Sequence, residues 1–213
     1  MSRTVESTVY RFDELSDTAK ERARDWWRNC AEGDDWYDSI YEDASSIAKI
    51  LGIEFDQKPV KLMGGATRYN PCIWFSGFCS QGDGACFESR YSYAKGAKKA
   101  IREYASQDET LHRIADDLQD IQRRNFYRLE AKTRHSGRYY HSGCMNVEVF
   151  NKESGNEICG DSEKDLTTIL RRFADWIYKQ LVVAYDYYYS DENVDESMRL
   201  NEYEFTEEGK LTA

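Results

Sequence analysis

Three stretches of the chain carry side chains that bind anions, stack on rings or move protons. The first is Arg134-His135-Ser136-Gly137-Arg138-Tyr139-Tyr140-His141-Ser142-Gly143. Arginine grips phosphate through two parallel N–H donors, tyrosine stacks on bases, and histidine exchanges a proton near neutral pH. Arg134, Arg138, Tyr139, Tyr140 and His141 are therefore candidates for a nucleotide or RNA site. Two histidines do not make an enzyme, because a general base needs a partner and a positioned substrate. The same residues also fit a polar turn whose tyrosines close a sheet. The second stretch is Gln81-Gly82-Asp83-Gly84-Ala85. Successive backbone N–H groups in such a turn bind an anion, which makes Gly82, Asp83 and Gly84 candidates; a plain hairpin tip would use the same glycines. No Gly-Lys-Ser/Thr follows, and the glycine spacing is wrong for a dinucleotide fingerprint. The third group is Lys95, Lys98, Lys99 and Arg102, which fall on one helical face at three- and four-residue steps. They form either a solvated stripe or a nucleic-acid contact.

Charge is unevenly placed along the chain. From Asp186 to Glu208 nine acids face Arg199 alone, a balance of -8, whereas Lys58 to Arg102 carries +6 and Arg123 to His141 carries +5. Such a bipolar chain suits charged partners and fast association; alternatively the acidic end folds back and neutralises the basic segments. The net charge of -10 lowers non-specific DNA affinity, which depends on neutralising phosphates. Within the acidic region Tyr187, Tyr188 and Tyr189 are candidate anchors for a protein partner, since aromatic residues are enriched at binding hot spots. Asp191, Glu192, Asp195 and Glu196 flank them on the same segment.

The elements that must position these groups follow from periodicity. Leu15, Ala19, Ala23, Trp26, Trp27 and Cys30 predict a helix over 17–30, capped by Ser16. Gly33-Asp34-Asp35 breaks it, and Trp36 to Leu51 reads as a second helix stopped by Gly52. Their tryptophans are expected to pack the two together. Cys72–Ser80 and Cys86–Tyr91 read as a hairpin around the glycine-rich tip, with Pro59 and Pro71 flanking a loop. Helices follow at about 93–105, 109–133 and 163–189. Tyr139–Phe150 and the run through Ile158 form a second hairpin around Glu153-Ser154-Gly155-Asn156. Beyond the last long helix lie a helical turn near 191–200 and a short strand near Tyr203–Phe205; Thr8–Phe12, which alternates weakly, reads as a separate short strand. The expected fold is α+β, with about five helices around a small antiparallel sheet built from two hairpins. One domain over 1–213, with an acidic C-terminal segment at 186–213, suits 213 residues.

The composition, 40% hydrophobic and 14% aromatic, excludes a disordered or collagen-like chain. A mean hydropathy of -0.80 and the lack of any long apolar run argue against a membrane span, and Met1–Glu6 has no apolar leader. The expectation is a soluble, cytoplasmic protein. Cys30, Cys72, Cys79, Cys86, Cys144 and Cys159 show no zinc-site spacing and read as reduced, mostly buried thiols. A metal site would need scattered parts such as His135, His141 and Cys144, and none is assigned. No nucleophile elbow or His-Glu-x-x-His is present, so no catalytic residue and no cofactor are assigned, and an enzyme is the less favoured reading.

Several segments together resemble a family of small accessory proteins of tailed bacteriophages and prophages. The resemblance rests on Tyr10-Arg11-Phe12-Asp13-Glu14-Leu15-Ser16-Asp17 leading into Ala19–Trp27, and on Ser76-Gly77-Phe78-Cys79-Ser80-Gln81-Gly82-Asp83-Gly84-Ala85-Cys86-Phe87. Gly137-Arg138-Tyr139-Tyr140-His141-Ser142-Gly143 and Asn201-Glu202-Tyr203-Glu204-Phe205-Thr206 are similar as well. It implies an accessory protein acting in the bacterial host cytoplasm and carries over no catalytic residue. The leading expectation is a non-enzymatic protein that binds and inhibits a host nucleic-acid-handling defence protein through its bipolar surface. A nucleotide- or RNA-binding protein or small enzyme built on Gly82–Gly84 and Arg134–His141 is the first alternative, and an antitoxin-like partner the second.

Overall fold

The computed structural model describes residues 8–31, 33 and 35–212. Residues 1–7, read for a leader, and Asp34, read as part of the first helix break, lie outside them. In chain order the strands and helices are β1 (Tyr10–Arg11), α1 (Asp17–Ala31), α2 (Asp38–Leu51), β2 (Ile53–Phe55), β3 (Gln57–Lys61), β4 (Thr67–Pro71), β5 (Ile73–Ser76), β6 (Gly84–Phe87) and β7 (Ser89–Ser92). There follow α3 (Ala97–Tyr104), α4 (Glu109–Arg124), β8 (Leu129–His135), β9 (Met145–Asn151), α5 (Asp161–Tyr188), α6 (Asp191–Leu200) and β10 (Glu204–Phe205). The fold is α+β. Among the described residues it has six α-helices and four small antiparallel sheets rather than about five helices around two hairpins. No described helix is long and apolar enough to cross a membrane.

Two compact units divide the chain: a terminal unit of residues 1–37 and 183–213, and a central unit of 38–182. In the terminal unit the three- and four-residue spacing of Leu15, Ala19, Ala23, Trp27 and Ala31 gives one buried face along α1. That face packs with Val194 and Met198 of α6 and with Phe12 and Phe205. Tyr10 pairs with Phe205 and Arg11 with Glu204, closing the two-stranded sheet of β1 and β10. The tryptophans of α1 meet C-terminal rings: Trp26 lies edge-on to Tyr203 and Phe205, and Trp27 contacts Tyr188 and Tyr189. The expected turn at 191–200 is a full helix, capped by Ser190, whose hydroxyl accepts the N–H of Asn193.

The central unit is built on a four-stranded antiparallel sheet in the order β2-β7-β8-β9. Period-two alternation buries Ile53, Phe55, Tyr91, Leu129, Ala131, Val147 and Val149. Apolar faces of α4, through Leu111, Ile114 and Leu118, and of α5, through Leu166, Leu170 and Phe173, complete the core. Phe173 stacks on Phe55 at 6.3 Å and 3°. On the other face of the sheet Glu54, Arg90, Lys132 and Glu148 stand in register across the four strands.

Two sequence expectations are corrected here. The helix expected at 109–133 ends at Arg124, and residues from Leu129 form β8. Phe126 and Tyr127 take positive φ after the Asn125 cap, and the buried Gln122 amide bonds the Leu129 N–H and C=O, turning the chain into the sheet. The strand over Tyr139–Phe150 begins only at Met145, and β9 pairs with β8 over seven positions rather than with the run through Ile158. The 153–156 turn returns only far enough for one bridge, Phe150 to Glu157.

The loop expected around Pro59 and Pro71 is the hairpin β3–β4. Single residues, Asp56, Cys72 and Glu88, separate β2 from β3, β4 from β5 and β6 from β7. Their backbones form a closed ring: Asp56 N–H donates to Glu88 O at 2.9 Å, Glu88 N–H to Cys72 O at 2.9 Å, and Cys72 N–H to Asp56 O at 2.7 Å. Three two-stranded pairings, β2:β7, β3:β4 and β5:β6, meet at this ring.

Candidate functional site

Beside that ring, β3, β5 and the end of β8 bring three side chains of different chemistry together. Trp74 of β5 is stacked on Tyr140 at 6.2 Å and 15°, His135 tilts against both rings, and the Lys58 ammonium of β3 lies 5.5 Å over the indole. The cation–π contact is worth about 0.5–1 kcal/mol at such a partly exposed site. Tyr139 and Tyr140 are exposed, the Arg138 guanidinium lies over Tyr139, and Arg134 points outward from β8. The group is an aromatic platform edged with cations.

Gly84 holds the platform together. A Cβ on Gly84 would lie 2.5 Å from His141 Cβ and 2.9 Å from its Cα, so only glycine admits the 140–141 segment this close to β6. Two of the candidate stretches read from the sequence, Gly82–Gly84 and Arg134–His141, are thereby adjacent. The Ser76 hydroxyl donates to Tyr140 O, and the His135 N–H donates to the Glu88 carboxylate at 3.1 Å, tying the segment to β5 and to the ring.

The turn at Gly82–Gly84 already holds its own anion. The Asp83 carboxylate accepts the N–H groups of Cys79 and Ser80 at 2.9 and 2.6 Å. The Ser80 and Cys79 backbone bonds hold its carboxyl below the usual range. The Tyr178 hydroxyl donates to Gly77 O, and its ring stacks on Phe78, clamping this loop to α5.

His141 and Cys144 form a pair, with the sulfur 3.4 Å from Nε2, while His141 Nδ1 accepts the Gly143 N–H at 3.0 Å. A nitrogen that accepts is unprotonated, so the proton of the neutral ring sits on Nε2 and points at sulfur. That tautomer donates to the thiol and cannot take its proton, which leaves the thiol without a base on this histidine. Cys86 is buried next along β6, and burial pushes its thiol up to about 12. All six cysteines are free thiols, but only Cys72 and Cys86 are buried, fewer than expected. Cys30, Cys79 and Cys159 lie on exposed faces. Among the described residues no three or more His, Cys, Asp or Glu side chains are grouped to hold a metal ion.

The basic stripe is engaged within the fold. Lys98 and Arg102 of α3 both bind Asp116 of α4, at 2.9 Å each, and Lys99 pairs with Glu103; Lys95 precedes the helix. Burial works to raise the Asp116 carboxyl, but the bonds from Arg102 and Lys98 outweigh it and hold it low. In the acidic region Tyr188 and Tyr189 pack against the terminal core, and only Tyr187 of the three is exposed. Asp195 binds Arg24 through both oxygens at 2.7 and 2.8 Å, and Asp191 binds Arg28 and Arg24. Glu192 and Glu196 face outward.

A concavity of about 650 Å³ between the N-terminal end of α4 and the middle of α5 lies elsewhere and mixes Asp108, Glu109, Arg172, Asp175 and Lys179. Asp108 caps α4 and accepts the Trp176 indole N–H, and Arg172 binds Asp117. Asp108 and Arg172 are thus occupied within the fold.

A family model described as a domain of unknown function (DUF8835) matches residues 36–191. The chain belongs to this family. No curated protein and no solved structure matches it. The family's span takes in the whole platform and the strand ring, together with Tyr187–Tyr189 and Asp191, and stops short of Glu192, Asp195 and Glu196. Of the platform residues, sequence reasoning found those of 134–141 and missed Lys58 and Trp74. Lys58 was visible only as one of eight cations in a long basic stretch, and Trp74 as an apolar strand residue.

Proposed function

We propose that this protein acts by binding, and that the platform of Trp74, Tyr140, Tyr139, Lys58 and Arg138 takes single-stranded nucleic acid. The observation that carries this is the parallel stack of Tyr140 on Trp74 with a lysine over the indole face. A nucleobase is a ring that can displace the flexible lysine from that face and add to the stack, while the freed ammonium meets the phosphate. Base–aromatic stacking contributes about 1–3 kcal/mol per base, and Arg138 beside Tyr139 supplies a backbone contact without sequence preference. Titration of a labelled single-stranded oligonucleotide at low salt tests the reading. Tyr140→Ala should weaken binding about 5- to 150-fold while Tyr140→Phe stays near wild type. Equal affinity of the wild type and Tyr140→Ala sinks it.

In this reading the chain is a phage or prophage accessory protein of the host cytoplasm, which the sequence resemblance supports. A second reading is inhibition of a host nucleic-acid-handling defence protein by direct binding. It is favoured by the exposed Tyr187, Glu192 and Glu196 on the acidic unit. Pull-down from bacterial lysate with and without nuclease separates the two. A stoichiometric protein partner that survives nuclease supports inhibition, and a capture lost with nuclease supports the platform.

A further inference from the structure

The hairpin β3–β4 leaves the strand ring next to the platform and is built unlike the rest of the chain. Residues 57–71 contain Lys58, Lys61 and Arg68 and no acid, in a protein of net charge -10. Its tip, Leu62-Met63-Gly64-Gly65-Ala66, presents two large apolar side chains to solvent, and Met63 is fully exposed. Tyr69 is exposed on the ribbon as well. Two-stranded ribbons enter the minor groove of a duplex, and there apolar Leu or Met side chains act as wedges at base steps. An apolar tip alone marks no partner, but Lys58 and Lys61 stand on a ribbon that carries no acid of its own, which suits a phosphate backbone, while Arg68 is already neutralised by Asp38.

We infer that this hairpin is an arm for duplex nucleic acid, so that the protein recognises the junction between a duplex and a single-stranded tail. The inference rests on the proposed single-strand role of the platform and adds the substrate class. Lys58 belongs to both surfaces: its ammonium lies over Trp74, and its backbone pairs with Asn70 inside the arm. From Lys58 to Met63 the ribbon extends roughly 16 Å at about 3.3 Å per residue. That length spans about five base pairs at about 3.4 Å each. Lys61 is on the arm with no ion-pair partner among the described residues, while Arg68 is held by the Asp38 carboxylate and Asn70. Lys61 is thus the arm's open phosphate contact, and Leu62 and Met63 lie at its far end, about five base pairs into the duplex from the platform, where they would wedge at a base step.

The test compares a short single strand, a blunt duplex, and that duplex carrying the strand as a tail, using the full chain. The tailed duplex should bind at least about tenfold more tightly than the single strand, since the second contact becomes intramolecular. Leu62→Ser with Met63→Ser should remove that gain and leave single-strand affinity unchanged; both positions are exposed, so the fold tolerates them. Lys61→Gln should reduce the salt slope on the tailed duplex by about 1 and not on the single strand. If the single strand itself fails to bind, the platform reading falls and takes the junction with it. If the single strand binds but the tail confers no gain, or the double serine variant keeps the gain, the arm alone is overturned. Capture of the wild type, but not of the double serine variant, by anionic lipid vesicles, without a gain on the tailed duplex, overturns it in favour of a lipid surface.

Discussion

The terminal unit holds 8 basic against 18 acidic residues, and the central unit 21 against 21, so the smaller unit carries the entire net charge. Both are rich in aromatic rings, yet they use them differently. In the terminal unit Trp27, Tyr188 and Tyr189 line a small core, and the nearby carboxylates of Asp191 and Asp195 are bound by Arg24 and Arg28. Cations lie over rings in both units, over Phe12 in the terminal one, but in the central unit's surface group of Trp74, Tyr140 and Tyr139 the cations Lys58 and Arg138 have no carboxylate partner among the described residues. The lesson is that residue type does not reveal role here. Tyr188 and Tyr189, beside acids, pack half-buried against the terminal core, and Trp74, inside an apolar run, is equally half-buried but turns a face to Lys58.

The contrast is broken most severely inside the terminal core. Phe205→Ala removes a fully buried ring lying against Phe12 and Trp26 and should cost about 3–5 kcal/mol in urea denaturation followed by tryptophan fluorescence. Gly209→Ala should also destabilise this unit, because its φ is +82° and a Cβ would meet Ala19 O at 2.1 Å. A loss below about 1 kcal/mol for Phe205→Ala contradicts a working aromatic core. Next comes Gly84→Ala, which pushes the 140–141 backbone away from β6. Oligonucleotide affinity should fall about tenfold or more as the Tyr140 stack is lost, with little change in the terminal unit. Unchanged binding would show that the stack does not depend on this approach.

A smaller effect sharpens the role of the acids. Asp195→Ala removes both charge-assisted bonds to Arg24, each side chain being about 15% exposed, and should cost about 1.5–3 kcal/mol. Glu192→Ala, on an outward-facing residue of the same helix, should lie within about 0.5 kcal/mol. Equal losses for the two would refute the division between structural and surface acids. The smallest effect concerns pH. Asp116 sits below its usual range when folded, so the unfolded chain binds its proton first as pH falls. Its contribution is present above about pH 4, the unfolded carboxylate range, and is lost as pH drops through the lower folded value. Asp116→Asn should flatten the acid limb of urea midpoints measured against pH, and an unaltered limb would remove Asp116 from the balance.

Much of the helical framework was legible because burial imposes a period: Leu15, Ala19, Ala23 and Trp27 announce α1 before any contact is known. Strand β8 was hidden because Leu129-Glu130-Ala131-Lys132 consists of good helix formers. Pairing with β7 and β9, together with the Gln122 amide, overrides that preference. The arm was hidden for the opposite reason. Gln57–Lys61 is polar on both sides and contains Pro59, which reads as loop but is tolerated in a two-stranded ribbon with free edges. At the site, the Arg134–His141 segment was legible by composition. Lys58 and Trp74 join it only through strand register, which no local spacing encodes.

The backbone ring of Asp56, Cys72 and Glu88 has a consequence for solvent exchange. Each of the three amides donates to the next member, and the three residues are spaced sixteen apart along the chain. Separating any one ribbon breaks two of the three bonds at once, so the ring has no partially open form that frees a single N–H. Loss of any one ribbon should therefore open at least two of the three amides to deuterium together, although they belong to three different strand pairings.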